Sequence, residues 1–526
     1  MVASAVGIQP SEVTPMRTPS KPKALPCVVE VVVLIFTLGL LPVIVVLCQG
    51  GLGGLILQDA SMVSFPMTQR WLRRKIQGMM VPAVAAALNK CGDDKMIVKS
   101  AEDEGLYMAN TPADANDTAA AAKCKEDAKA VTAANWWFAP YNRLAYRNME
   151  KLVQCAHVSR GATPALPLEP ADDADLKIFQ SVAVPGGVPI ETMLARMNVD
   201  GFLVLKGGKV LAEHYMNGQQ PTDRHLMFSV SKCLVGLLAE ILVDEGRLDD
   251  AQLVSHYVPD FAGASALTHA TVRNVLNMEV ACSWSEVYPA SATTRSDVCK
   301  YLYSANWLPW PVSYKVDERS DGVRAFCKTL ERFGPSVMNL DHGRSFHYAT
   351  ALTDVLGFVV AAVEGKPLHQ VFAERIWCKL GADADCLFAA DKAGVALAGA
   401  GWTATLRDAG RLAAMLAAGG AWNGQQVVPP TVMAKLRAGG DPKHNPWFVL
   451  WGDGGIERSY LSQFYCHAGR SLQAYGIHGQ HIGAYQRSGV SVVLQSSNKT
   501  FDSGLGNIMA QHFGELVDAA FCQQML

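Results

Sequence analysis

A strong charge of either sign is the first thing this chain lacks. It sets 46 lysines and arginines against 48 aspartates and glutamates, a net charge of −2 over 526 residues. That balance gives no field for a polyanion, so nucleic acid is excluded as an expected partner. No two of its 13 cysteines stand as Cys-x-x-Cys, which argues against a zinc ribbon or a thioredoxin-like redox pair. With Cys27, Cys48 and Cys233 set aside, ten cysteines remain; an even number permits disulfides but does not give their pairing. Charge is absent altogether from Val31 to Leu57.

That uncharged run is long enough for one bilayer span, and Arg17, Lys21 and Lys23 precede it. The expectation is a polar tail over 1–26, a transmembrane or signal-anchor segment over 27–57, and a juxtamembrane and linker region over 58–132. A single-pass membrane protein follows, with the body at 133–526 lumenal or extracellular. Arg70, Arg73, Arg74 and Lys75 beyond the span weaken the orientation, while the sequons at Asn116 and Asn498 favour it. A cleaved signal peptide and a buried core helix are the alternatives.

What is present begins with Phe228-Ser229-Val230-Ser231-Lys232. Leu234, Leu237, Leu238, Ile241 and Leu242 follow at helical spacing, with Gly246 as a stop. Ser229 and Lys232 then lie one turn apart on one face near a helix N-terminus. A serine needs a base to act as a nucleophile, and a desolvated lysine can be that base. The bland reading is chance, because Ser20/Lys23 and Ser496/Lys499 repeat the spacing. Asp200–Leu205 and Val210–Glu213 flank a glycine turn and read as a hairpin. Helical segments follow near 268–280, 347–364 and 405–418, and Tyr475–Gln480 and Gly489–Ser496 read as late strands. A sheet fed from both ends of a helical middle is an α+β architecture.

Tyr348 heads the second of those helices, where a plain packing role is the simplest account. Gly476-Ile477-His478-Gly479-Gln480-His481 brackets a histidine with glycines on an expected edge strand, which would admit a substrate close to the backbone. A spacing of three points His478 and His481 to opposite faces of a strand, against a metal pair. No metal or cofactor is expected.

Taken in order, these stretches resemble the serine β-lactamase and penicillin-binding-protein-like superfamily. The chain is most similar to its class C-like branch of 6-aminohexanoate-dimer (nylon-oligomer) hydrolases. Pro140-Tyr141-Asn142-Arg143, Ala270–Met278, Thr353-Asp354-Val355-Leu356-Gly357 and Thr405-Leu406-Arg407-Asp408 extend the likeness from about Trp136 to near Asn507. The resemblance implies a β-lactamase/transpeptidase-like fold, an antiparallel sheet flanked by helices plus a mostly helical subdomain. It implies Ser229 as the acylated residue, Lys232 as its base and Tyr348 as the proton relay. It places Gly479 and Gln480 along the site, a backbone N–H there completing an oxyanion hole with that of Ser229. His478, Thr350 and Asp297, with Glu286 and Tyr288, fall at pocket-lining positions.

The departures matter. Ile477-His478-Gly479 stands where penicillin-recognising relatives carry Lys-Thr-Gly, and the glycine-rich turn is only partly kept at Ala398-Gly399-Ala400-Gly401. A serine hydrolase of short amides or esters is therefore the leading expectation. A D-aminopeptidase, carboxypeptidase or β-lactamase is the second. A non-catalytic binding scaffold is the third, and the intact Ser229, Lys232 and Tyr348 argue against it.

Overall fold

The apolar N-terminal run is where sequence and structure part. The computed structural model describes residues 31–37, 42–48, 130–184, 189–288, 295–333, 341–441, 458–499 and 504–524. Val31–Thr37 (β1) and Pro42–Cys48 (β2) pair antiparallel, Val31 opposite Cys48 and Thr37 opposite Pro42. No helix among the described residues is long and apolar enough to cross a membrane. The expected transmembrane helix is thereby corrected, and with it the single-pass membrane localisation. The physical reason is in the composition: valine and isoleucine dominate both halves and favour extended backbone, and Pro42 would interrupt a helix at mid-span. The tail at 1–26, most of 58–132 and the sequon at Asn116 lie outside the described residues.

The chain divides into two units, Met1–Met108 and Ala109–Leu526. In the second, two antiparallel sheets carry the architecture. Cys155–Val158 (β3), Arg224–Leu226 (β6), Cys386–Ala389 (β7) and Trp402–Thr405 (β8) form a small sheet in the order β3-β7-β8-β6. Val199–Lys206 (β4) and Lys209–Tyr215 (β5) form the expected hairpin through Gly207 and Gly208, whose φ values of 57° and 82° suit glycine. A minor hairpin joins Ala421–Trp422 (β9) to Gln425–Gln426 (β10). The late strands are Arg458–Leu461 (β11), Phe464–His467 (β12), Ser471–Gly476 (β13), Gln480–Tyr485 (β14) and Val490–Ser496 (β15). The large sheet runs β11-β12-β13-β14-β15-β4-β5, so β15 closes directly on the early hairpin.

Six helices matter for the site: Ser231–Asp244 (α1), Val272–Leu276 (α2), Asp297–Ser304 (α3), Thr350–Glu364 (α4), Leu406–Ala417 (α5) and Gly504–Gln523 (α6). The leucines and isoleucine that announced α1 are all buried, each worth about 1.5–3 kcal/mol of burial. Where α1 presents Gly236, an added Cβ would collide with the Ser462 carbonyl. The β11–β12 turn thus rests on the bare helix backbone. Ser462 and Gln463 hold φ values of 49° and 69° there. Gln463 donates to the Val275 and Leu276 carbonyls, and Ser462 Oγ donates to buried Glu240 on α1. The segment expected as a helix over 268–280 is helical only at α2, where Thr271 and Asn274 form a capping box.

Cys155, Cys233, Cys282, Cys299, Cys327, Cys378, Cys386, Cys466 and Cys522 are free thiols. Burial pushes the Cys282 and Cys466 thiols up to about 12 and raises Cys233 as well. None of these is a thiolate nucleophile near neutral pH.

Candidate active site

Ser229 precedes its helix instead of opening it. It lies in a 3-10 turn, Phe228–Val230, and α1 begins at Ser231. Phe228 holds φ at 46°, a left-handed backbone that costs a bulky residue about 1–3 kcal/mol. Ser231 fixes that turn, donating to the Phe228 carbonyl at 2.5 Å and accepting the Trp402 N–H at 2.9 Å. Edge-on contacts from Trp137 and Tyr146 hold the Phe228 ring. The turn leaves Ser229 half-buried between fully buried neighbours.

Lys232 is 1% exposed, and its Nζ lies 2.9 Å from Ser229 Oγ. The same Nζ donates to the Gly399 carbonyl at 2.6 Å. Desolvation pulls the ammonium down to about 8, while the carboxylates of Glu286 and Asp354 pull the other way. About a tenth of the lysine is then neutral at pH 7. Tyr348 stands in front of it, Nζ 5.0 Å from the ring centroid, with Ser229 within hydrogen-bond reach of the phenol. Burial and the nearby Tyr465 and Glu286 raise the phenol well above its usual range, so it keeps its proton. Ser229 and Lys232 are therefore brought together as their spacing implied, and Tyr348 stands beside them as the resemblance implied.

Thr350 joins them at the head of α4, but its hydroxyl is turned to Glu286 at 2.5 Å. Glu286 also accepts from the Thr350 N–H at 3.2 Å, Tyr288 OH at 2.6 Å and the Trp284 indole. A carboxylate so held fixes the loop of Trp284–Tyr288 against the start of α4. Asp297 stands one step behind that loop, accepting from the N–H and hydroxyl of Ser285 at 2.9 and 2.8 Å.

The third stretch differs from its expected form. It is no single edge strand: β13 ends at Gly476, Ile477–Gly479 makes a tight turn, and β14 starts at Gln480, both strands interior to the sheet. His478 at φ 61° and Gly479 at φ 91° make the bend. An added Cβ on Gly476 would meet the Met227 carbonyl at 2.5 Å, so the strand lies directly against the Ser229 turn. His478 points inward, 0% exposed, with Nδ1 at 2.7 Å from the Asn498 carbonyl and its ring against Phe228. Burial lowers it to about 4, which keeps it neutral. His481 meets Gln473 Oε1 at 2.7 Å instead. The Gln480 side chain is spent on β15, donating to the Ser496 carbonyl and accepting the Ser496 N–H.

Sequence reasoning missed Asp354, Gly399 and the tyrosines Tyr460 and Tyr465 that extend the aromatic surface from Tyr348. A signal for Asp354 existed: it is a charge inside Thr350–Val360, an otherwise uncharged run.

The beta-lactamase family model matches residues 182–510. The 6-aminohexanoate-dimer hydrolase of Paenarthrobacter ureafaciens is 34% identical over 374 residues, 69% of this chain and 87% of that protein. A solved structure from Bacillus anthracis, assigned as a 6-aminohexanoate-dimer hydrolase, superposes with a TM-score of 0.65 at 22% identity. It covers 76% of this chain and 98% of its own, and it shows the same fold. The chain belongs to the beta-lactamase family and is a serine hydrolase.

Proposed function

We propose that this hydrolase cleaves short linear amides or carboxylic esters through an acyl-enzyme on Ser229. The proposed hydrolase domain spans 133–526. The observation that carries the reading is the 2.9 Å approach of a buried, partly neutral Lys232 to Ser229 Oγ. Lys232 takes the hydroxyl proton as Ser229 Oγ bonds to the substrate carbonyl carbon. The backbone N–H groups of Ser229 and Gln480 receive the developing oxyanion. Tyr348 passes the proton to the departing amine or alcohol, and water then repeats the sequence to release the acid. The name of the Paenarthrobacter relative supports a linear amide as one substrate class.

A penicillin-type reading is disfavoured by a specific observation. The usual substrate-holding lysine aligns with Ile477, an apolar side chain that cannot pair with a carboxylate, and the neighbouring His478 is buried, neutral and turned away.

The test mixes the protein with a short-chain nitrophenyl ester and follows the first turnover and the intact mass beside Ser229→Ala. A burst with one acyl adduct on the Ser229 peptide, absent in the variant, is expected. Equal rates and no adduct in folded wild type would remove the acyl-enzyme reading.

A further inference from the structure

Behind Lys232 lies a second arrangement that the reaction scheme does not use. Asp354 is 2% exposed on α4. Its Oδ1 accepts the Ala398 N–H at 2.8 Å, and its Oδ2 accepts the Tyr301 hydroxyl of α3 at 3.0 Å. The Gly399 N–H is a further donor to this carboxyl. A Cβ on Gly399 would meet Thr350 Cγ2 and the Thr350 carbonyl at 2.8 Å and Asp354 Oδ2 at 2.9 Å. The Ala398–Gly399 backbone is thus clamped from behind by one carboxyl group, with no room to shift toward α4. The face it turns forward is the Gly399 carbonyl that accepts Lys232 Nζ at 2.6 Å.

We propose that Asp354 is a positioning residue that fixes the Gly399 carbonyl and thereby aims the Lys232 lone pair at the Ser229 hydroxyl. The proposal rests on Lys232 being the base. A neutral amine has one lone pair and two N–H bonds, and its base strength is useful only along the lone-pair direction. With one N–H committed to Gly399, the amine loses most of its freedom to turn, and the lone pair can settle toward Ser229. The logic is that of a carboxylate orienting a histidine base, here transmitted through a peptide group. Tyr301 completes the device by capping the second carboxyl oxygen.

The charged and titratable groups facing Asp354 are Lys232 from α1, Tyr301 from α3 and the buried thiol of Cys327; Glu286 also acts on Lys232. Burial pushes Asp354 up to about 7, against the pull of its hydrogen bonds and of Lys232. When ionised, Asp354 favours the ammonium form of Lys232, so its neutral replacement eases Lys232 deprotonation.

The experiment compares wild type, Asp354→Asn, Tyr301→Phe and Lys232→Ala in the full chain, measuring ester kcat and KM from pH 6 to 10. Asp354→Asn is expected to lose about 10- to 100-fold in kcat with KM little changed. The acid limb, near pH 8 in wild type, is expected to move to lower pH. Tyr301→Phe should change both in the same direction by less. A kcat loss with the limb unmoved, or no loss at all, overturns the positioning role. If Asp354→Asn does not fold, wild-type kcat and limb in Tyr301→Phe overturn it. Lys232→Ala separates the two claims: a wild-type rate there removes the base itself, whereas an inactive Lys232→Ala beside an unaltered Asp354→Asn removes only this proposal.

Discussion

Lys232→Met is the perturbation whose outcome the structure constrains most. The lysine is sealed in the core and its acidity moves from 10.5 to about 8. Folding therefore disfavours the ammonium by about 2.5 pH units, or about 3 kcal/mol. The sign follows from linkage. Between pH 8 and 10.5 the unfolded chain binds more protons at this site than the folded one, so stability contributed by the site rises with pH over that window. Methionine has nearly the same reach, carries no proton and forgoes the contact with the Gly399 carbonyl, a loss of about 1–3 kcal/mol independent of pH. The gap in unfolding free energy between variant and wild type should therefore shift by about 2.5 kcal/mol between pH 7 and pH 10, moving against the variant as pH rises. Urea melts of both proteins at the two pH values measure it, and an ester assay in parallel should find the variant nearly inactive. A gap that does not change with pH would show that Lys232 is not held in a depressed state, and the base assignment would lose its physical footing.

Three further outcomes are expected. Tyr348→Phe should slow turnover about 10²- to 10⁴-fold with an unchanged melt, and a wild-type rate would take Tyr348 out of the proton path. Gly236→Ala drives a methyl group into the Ser462 carbonyl and should cost about 3 kcal/mol in a urea melt; an unchanged midpoint would mean the β11–β12 turn does not rest on α1. His478 is neutral when folded, at about 4 against its usual 6.5, so the stability it contributes is present above pH 6.5 and falls by about 3 kcal/mol on descending to pH 4. His478→Gln should flatten that slope whatever it does to stability at pH 8, and equal slopes would contradict the buried neutral ring.

The legible parts of this protein were those with a strong period or a fixed spacing. Leu234 to Leu242 repeat as a helix must, and Gly207-Gly208 between β-rich runs has little choice but to turn. Ser229 and Lys232 carry types and a spacing that chemistry restricts, whereas Tyr348 reads as a packing residue until the whole order of motifs is compared with the family. Other features depend on packing that no local pattern records. Ile477–Gly479 alternates like a strand, yet Gly476 must pass against Met227 and the chain bends to do so. The N-terminal run pairs as strands where a helix is expected, because hydropathy weighs valine and leucine alike whereas backbone preference separates them. Glu286 falls at an expected pocket-lining position, but the convergence of Thr350, Tyr288 and Trp284 on its carboxylate is a matter of packing.

The two carboxylates explain why the lysine stops near 8. Desolvation alone would push Lys232 lower, which would make it always ready to accept a proton and poor at keeping one. On the proposed route the ammonium must survive from the attack of Ser229 until Tyr348 delivers a proton to the leaving group. Glu286 and Asp354 together supply the opposing pull. Each also does a mechanical task, Glu286 holding the head of α4 and Asp354 holding the Gly399 loop. A base tuned close to the working pH gives the best product of correct protonation and driving force. Here that tuning arises because the residues that set the field are the same ones that set the geometry, so neither can drift without the other.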